Sequence, residues 1–298
     1  MNQRSISMTD HEKEISSLAA EFERCRKILL ALGDENRQHL ILEMMQMGEC
    51  GGVRVGAVTE KTHLSRPAVS HHIQILKMDL KEAMKVRHSV RQYEVRPLEA
   101  ETVSELEKEI SICNKESGLH IQLVKNEPKA FDGFMAHYGK FSGVTNYIAM
   151  IGKKGPGLAE ACGYYGERLV LKAQQLGLNT CWAAMTYNKI KTAFTVETDE
   201  KLCIVIALGY GKTNGVPHKS KSVDAVAKAD GPLPDWFKAG AEAALLAPTA
   251  MNQQKFTFTL KGNEVSAKAG LGFYTKIDLG IAKYHFEYGA GTENFTWK

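Results

Sequence analysis

The sequence predicts an α+β protein, a sheet flanked by helices, preceded by a small all-helical domain that contains a helix-turn-helix. Apolar residues recur at helical spacing near the start of the chain, as at Leu18, Phe22, Cys25 and Leu29. The run KLCIVIALGYG at 201–211 is continuously apolar, which is typical of a buried central strand. Helical and strand-like patterns interleave after residue 78, which favours the α+β class for this larger part.

The composition excludes several classes of protein. The chain has 298 residues, of which 44% are hydrophobic and 24% are charged, the balance of a soluble globular protein. It has no uninterrupted apolar run long enough for a transmembrane helix and no apolar core of a secretory signal, so we expect a cytoplasmic protein. The 6 cysteines show no CxxC spacing, which predicts reduced thiols and argues against a zinc ribbon or a CxxC redox motif.

The first domain, residues 1–77, carries the helix-turn-helix pattern. Asp34 is a plausible N-cap for one helix, and a short helix is expected from Val53 to about Lys61. Ser65 is a second N-cap candidate, with Pro67 in the first turn of the helix that follows. Two short helices joined by a tight turn at 62–64 are typical of a helix-turn-helix.

The polar face of this second helix could reach DNA. Its hydrogen-bonding or basic side chains, of the kind that contact phosphates and base edges, are Ser65, Arg66, Ser70, His71 and Gln74. The alternative is the solvated side of an amphipathic helix. Residues 1–77 carry 10 basic and 10 acidic side chains, and this neutrality weighs against strong DNA binding.

The segments ALGDENRQHLILEMM and LSRPAVSHHIQILK resemble the ArsR-type winged-helix family of regulators over about residues 25–77. The resemblance implies a recognition helix at about 65–77 whose polar face binds DNA. The family's wing and last helix have no counterpart, because a different motif begins at Arg87. Cys50 stands without a second nearby thiol, so no metal site is expected. The joining of the two parts could be natural or artificial.

The second domain, residues 78–298, opens with a basic motif in VRHSVRQYEVRPL. If this stretch is extended, the alternate side chains of Arg87, Ser89 and Arg91 point to one side. Two guanidinium groups and a hydroxyl suit a phosphate monoester. A solvated basic loop is the alternative.

Four separated segments resemble the FMN-dependent nitroreductase family. They are RHSVRQY (87–93), GLNTCWAAM (177–185), IALGYG (206–211) and LAPTAMNQQKF (246–256). The last follows GLNTCW here, whereas in commoner members it comes soon after the RxSxR motif. That order, with IDLGIA at 277–282, resembles a smaller, permuted-looking branch of the family.

This resemblance implies a homodimer with FMN at its interface, bound by residues matched motif by motif. The phosphate ligands would be Arg87, Ser89 and Arg91, with added charge from Lys219 and Lys221 unless these belong to a solvated loop. Asn252 would contact the flavin ring or the ribityl chain, with support from Gln254, in a loop that begins at Pro248 and Thr249. The segment over the flavin would contain Asn179, Thr180, Cys181 and Trp182, although Cys181 and Trp182 could equally be core residues.

The implied activity is that of an oxidoreductase whose chemistry resides in the flavin rather than in catalytic side chains or a metal. Electrons would pass from NAD(P)H through FMN to a nitroaromatic, a quinone or a similar small-molecule acceptor in a ping-pong reaction. Lys255 and Phe256 stand where the family usually has Pro and Trp, so the acceptor is left open. Two alternatives remain: an ArsR-like transcription regulator with a flavin domain as redox or ligand sensor, and a flavin-free member.

Overall fold

The computed structural model describes residues 35–46, 55–65, 68–69 and 79–298. The chain divides into two compact units, Met1–Lys77 and Met78–Lys298, and each is described here by itself.

The described part of the first unit is helical. Helix α1 spans Glu35–Gln46 and helix α2 spans Val55–Thr62, and the apolar side chains of Leu40 and Val58 are buried. The Ser65 hydroxyl accepts a hydrogen bond from the Ala68 N–H at 3.3 Å, which is the predicted N-cap arrangement. Of the predicted DNA contacts, Arg66, Ser70, His71 and Gln74 lie outside the described residues. The helix-turn-helix and its DNA binding therefore stay a prediction.

The second unit contains a four-stranded antiparallel sheet. Its strands, in the order β1-β2-β4-β3, are β1 Gln122–Val124, β2 Asn146–Lys153, β4 Glu200–Gly209 and β3 Asn179–Ala183. Strand β4 lies between two neighbours and its last six residues are buried, so the prediction of a central strand at 201–211 is confirmed. The predicted α+β architecture, a sheet flanked by helices, is also confirmed.

Helices cover this sheet and extend beyond it. They are α3 Leu80–Val86, α4 Ala100–Ser117, α5 Phe134–Tyr138, α6 Leu158–Gln175, α7 Asp235–Ala244 and α8 Thr275–Ala290. Helix α6 packs on β2, β3 and β4 and also against α8. The opposite face of the sheet packs against an apolar cluster that includes Phe131, Phe141 and Tyr147. No helix within the described ranges has the length and apolar character needed to cross a membrane.

A second sheet forms after residue 226. Its strands, in the order β5-β6-β7-β8, are β5 Ala227–Ala229, β6 Phe256–Lys261, β7 Glu264–Ala269 and β8 Thr296–Trp297. Strands β6 and β7 form a hairpin, and the residues Lys261, Gly262 and Asn263 lie at its turn. Phe258 of β6 stacks on Phe286 of α8 at 4.3 Å between ring centroids, which attaches this sheet to the helical layer.

Two glycines allow α6 and α8 to approach backbone to backbone. A Cβ atom added at Gly163 would lie 2.1 Å from the Ile277 carbonyl oxygen, and one at Gly280 would lie 2.0 Å from that of Glu160. Both distances are below any van der Waals contact, so neither position accepts a side chain without separation of the helices. The crossing fixes the N-terminal half of α8 relative to the main sheet.

We therefore expect Gly280→Ala to lower the free energy of unfolding by about 2 to 4 kcal/mol, because the methyl group forces two backbones apart. Chemical denaturation followed by circular dichroism measures this. Gly155→Ala is the matched control, since a Cβ there meets nothing within 4 Å. Equal stability of the two variants would contradict the tight crossing.

Candidate functional site

A cleft of about 120 Å³ opens where the main sheet meets the start of α8. Its walls come from the basic motif, from strands β3 and β4, from the loop after residue 247 and from α8. The lining residues are Ser89, Arg91, Cys181, Trp182, Ala184, Ile204, Pro248, Thr249, Ala250, Met251, Tyr274, Ile277, Asp278 and Ile281.

The basic motif is held against the sheet by a short bridge to β3. Ser89 and Thr180 form a parallel β-bridge, and the Val90 N–H donates to the Thr180 carbonyl at 3.0 Å. Side chains alternate along this extended segment, so Val90 enters the core while Ser89 and Arg91 line the cleft. The sequence pattern predicted this alternation for Ser89 and Arg91.

Arg87 belongs to the same motif but is buried and is not among the cleft-lining residues. It is the C-cap of α3, where its N–H bonds to the Ala83 carbonyl, and its side chain is only 2% exposed. Its Nε lies 3.8 Å from Glu167 Oε1 and has no hydrogen-bond partner. Burial lowers the pKa of Arg87, and the Glu167 carboxylate opposes that shift. All three side chains of the motif interact with Cys181 of β3, but only Ser89 and Arg91 are among the cleft-lining residues.

Glu167 is the centre of a buried polar cluster behind the cleft. The Trp182 indole N–H donates to Oε2 at 3.1 Å, and His285 Nε2 lies 2.9 Å from Oε1. His285 Nδ1 lies 3.1 Å from the Ala243 carbonyl, which can only accept, so Nδ1 carries a proton. The cluster therefore fixes the indole of Trp182 at the cleft wall.

The segment predicted to cover a flavin is strand β3. Asn179 is buried, and its Oδ1 accepts the Gly211 N–H at 3.0 Å, while Thr180 pairs with Leu208 of β4. Cys181 and Trp182 both line the cleft. Burial raises the pKa of the Cys181 thiol, which keeps it protonated.

The loop after Pro248 is tied to a second loop by side-chain amides. Gln254 Nε2 donates to the Lys219 carbonyl and to Asn252 Oδ1, at 2.8 and 2.7 Å, and Asn252 Nδ2 donates to the same carbonyl at 2.8 Å. The Lys221 ammonium donates to the carbonyls of Gln253 and Gln254. These hydrogen bonds bring together Asn252, Gln254, Lys219 and Lys221. None of the four is among the cleft-lining residues. Pro248 and Thr249 do line the cleft.

Asp278 is a site residue that the sequence reasoning did not single out. Its carboxylate lines the cleft and accepts the Ala250 N–H at 3.0 Å and the Gln253 amide at 2.8 Å. Burial raises the pKa of Asp278 to about 6, and these two hydrogen bonds oppose the shift. Its only signal was its position in the IDLGIA motif, which carried family resemblance but no chemical role.

The arrangement suits a flat, partly anionic organic ligand. Arg91 supplies a cation, and Ser89 and Thr249 supply hydroxyls, while Ile204, Ile277 and other apolar side chains form the remaining walls. Within the described ranges, no group of three or more His, Cys, Asp or Glu side chains could hold a metal ion.

The family model described as "Putative TM nitroreductase" matches residues 79–290. The chain belongs to this family. The resemblance to nitroreductases inferred from four motifs is confirmed, and the match begins after the segment predicted to form a helix-turn-helix. Oxidoreductase chemistry is therefore supported at the level of the nitroreductase family.

Solved structures give similar chains. A "putative nitroreductase" from Thermotoga maritima is 24% identical, with 72% of this chain and 85% of that chain covered and a TM-score of 0.49. Two others described as complexes with FMN are 15% identical with TM-scores of 0.41. The match to the protein from Exiguobacterium sibiricum covers 50% of this chain and 95% of that chain. The match to the protein from Desulfovibrio desulfuricans covers 53% of this chain and 99% of that chain. No curated protein matches the chain.

Asp278 makes stability depend on pH. Its pKa of about 6 in the folded protein lies above the ordinary 3.8, so the folded state binds the proton more tightly. The stabilisation that protonated Asp278 contributes is therefore complete at pH values below the ordinary pKa. It is lost as the pH rises through about 6. We expect Asp278→Asn to gain roughly 1 to 3 kcal/mol relative to wild type between about pH 4 and about pH 7. Urea denaturation across this range measures it, with the exposed Asp230→Asn as control. Parallel pH profiles for wild type and Asp278→Asn would refute the assignment.

Glu167 compensates a buried guanidinium. We expect Glu167→Leu to lower the free energy of unfolding by about 3 to 5 kcal/mol, because it leaves Arg87 without a counter-charge. Glu107→Leu, which removes an exposed partner of Lys125, should cost less than about 1 kcal/mol. Similar losses in the free energy of unfolding of the two variants would mean that the buried ion pair stabilises the protein no more than the exposed one.

Proposed function

We propose that this protein binds FMN in the cleft and passes electrons from NAD(P)H to a nitroaromatic, a quinone or a similar acceptor. The observation that carries the proposal is the convergence of Ser89, Arg91 and Thr249 with Trp182 on one cleft in a chain of the nitroreductase family. A cation and hydroxyls suit the phosphate and the polyol, and the apolar walls suit the ring system.

The residues present fit FMN, with a division of roles that differs from the sequence expectation. Ser89 and Arg91 contact the anionic part of the ligand, since both line the cleft. Arg87 adds positive charge from beneath the cleft wall, where its guanidinium is buried beside Glu167. Asn252, Gln254 and Lys221 hold the shape of the 248–254 loop through their hydrogen bonds. Lys219, whose carbonyl accepts hydrogen bonds from Asn252 and Gln254, adds positive charge next to this loop.

A second copy of the chain completes the site in this proposal. The cleft of about 120 Å³ is smaller than the roughly 300–1,000 Å³ of typical cofactor pockets, so one chain covers only part of the ligand. Met251 and Tyr274 line the cleft, and the nearby Leu271 and Phe273 are 94% and 76% exposed. Exposed apolar side chains at a cleft rim favour a homodimer with FMN at its interface.

Bound FMN supplies two-electron chemistry, by accepting a hydride from a reduced nicotinamide and returning electrons to an acceptor. The chain's residues prepare the site for it. Trp182 and the isoleucines exclude water from one side, and the guanidinium of Arg91 stabilises negative charge on the ligand. The open side of the cleft admits donor and acceptor in turn, which is the basis for a ping-pong reaction.

The direct test is the flavin content and reactivity of the purified protein. We expect a yellow protein with an absorption band at about 450 nm, released as FMN on denaturation. Stopped-flow mixing with NADH or NADPH should bleach the bound flavin faster than free FMN, and a nitroaromatic or a quinone should then restore the band. A protein that retains no FMN, or reduction no faster than in free solution, would sink the proposal.

Arg91 provides a sharper test of the binding mode. We expect Arg91→Ala to weaken FMN affinity roughly 10- to 100-fold, because a charge-assisted hydrogen bond is lost. Lys261→Ala, which removes one positive charge at the β6–β7 hairpin, is the matched control and should leave affinity unchanged. Flavin fluorescence titration measures both, and equal dissociation constants for Arg91→Ala and wild type would contradict the assigned contact.

A further inference from the structure

Asp278 carries the one carboxyl group among the described residues that line the cleft. The residue is 2% exposed, and Ile277 and Ile281 of the same helix add apolar surface to the cleft. Its Oδ1 accepts the Ala250 N–H at 3.0 Å and its Oδ2 accepts the Gln253 side-chain amide at 2.8 Å. Both donors are neutral, and each oxygen keeps a lone pair that can carry a proton. The cleft therefore contains an acid that is fixed in place.

The carboxyl of Asp278 has no counter-charge, in contrast to the buried carboxylate of Glu167. Glu167 lies beside the guanidinium of Arg87, whereas Asp278 forms an ion pair with no basic side chain of the described ranges. A buried carboxylate without an ion pair is unfavourable, so burial favours the protonated acid. The rise of the Asp278 pKa to about 6 has this cause.

The other titratable groups around Asp278 are poorer proton donors or are bound elsewhere. Arg91 keeps its proton at any physiological pH, and burial raises the pKa of the Cys181 thiol. The Lys283 ammonium pairs with Glu160 at 2.9 Å, and that of Lys255 donates to a backbone carbonyl. The titratable groups on the elements around Asp278 are Arg91, Cys181 and Tyr274 in the cleft, Glu160 and Tyr164 on α6, Lys276 and Lys283 on α8, and Lys255 after the loop.

We propose that Asp278 donates the proton that the electron acceptor takes up when it is reduced in the cleft, an inference that rests on the function proposed above. A quinone becomes a hydroquinone by gaining one hydride and one proton. The hydride comes from the reduced cofactor. The proton comes from Asp278, whose O–H bond breaks as an O–H bond forms on the quinone oxygen. The carboxylate that remains takes a proton from solvent, so the acid is restored for the next turnover.

The test compares two oxidants of the reduced, flavin-loaded protein in stopped-flow experiments. A quinone takes up a proton when it is reduced, whereas ferricyanide takes one electron at a time and no proton. In Asp278→Asn the ratio of the quinone rate to the ferricyanide rate should fall roughly 100-fold, because only the quinone needs the general acid. Asp230→Asn, at an exposed position, is the matched control and should keep the wild-type ratio.

The dependence on pH gives a second readout. In the wild type, the quinone rate should fall as the pH rises through about 6, because the protonated form of Asp278 is lost. Asp278→Asn should lack this fall, while Tyr274→Phe, which removes the phenol of the cleft, should retain it. Infrared difference spectra between about pH 5 and about pH 7 should show a protonated carboxyl that is absent in Asp278→Asn. This last measurement needs no turnover.

The outcomes separate this inference from the proposed function. A merely structural role of Asp278 would lower both oxidation rates together, and an unchanged ratio in Asp278→Asn would overturn the inference while the flavin chemistry stands. Loss of the pH dependence in Tyr274→Phe instead of Asp278→Asn would assign the proton to the phenol. A protein that retains no flavin, or whose flavin is not reduced by NADH or NADPH, would overturn both proposals. Circular dichroism checks that Asp278→Asn, which keeps the shape of the side chain, is folded.

Discussion

The buried carboxylate of Glu167 is the interaction on which the second unit depends most. It joins α6, where it resides, to α8 through His285, to β3 through Trp182 and to the basic motif through Arg87. All charged members of this cluster are shielded from water, so removal of any one leaves another uncompensated. Because an uncompensated buried charge is high in free energy, the four segments stay in the one arrangement that keeps every charge paired.

The cleft is shaped by this cluster from one side and by hydrogen bonds to a loop from the other. Asp278 holds Ala250 and Gln253, and Gln254 holds the chain at Lys219 and Lys221. Ser89 and Arg91 are fixed by the bridge to β3. Few polar groups therefore face the cleft. The polar groups that support them form hydrogen bonds or ion pairs with one another. This separation of binding groups from supporting groups is what a preformed ligand site requires.

Much of the fold could be predicted from the sequence, because strong periodic signals are local. The apolar run of β4 and the interleaving of helices and strands after residue 78 were visible in the sequence. Strands β5 and β8 have 3 and 2 residues, too few for a pattern. The burial of Arg87 could not be predicted, because it depends on packing beside Glu167, which lies 80 positions later in the chain. Glu167 and Asp278 act through contacts over long sequence distances, which no spacing rule reveals.

The backbone of the 249–254 loop has a consequence for how the protein reaches its native state. Met251, Asn252 and Gln254 all have positive φ values, of 51°, 53° and 44°. Such conformations cost roughly 1 kcal/mol or more for residues other than glycine, and asparagine tolerates them best. The offsetting bonds come from Lys219 and Lys221, more than 30 positions earlier, and from Asp278. The loop therefore gains its shape only after distant strands and α8 have assembled, which makes the cleft a late product of folding.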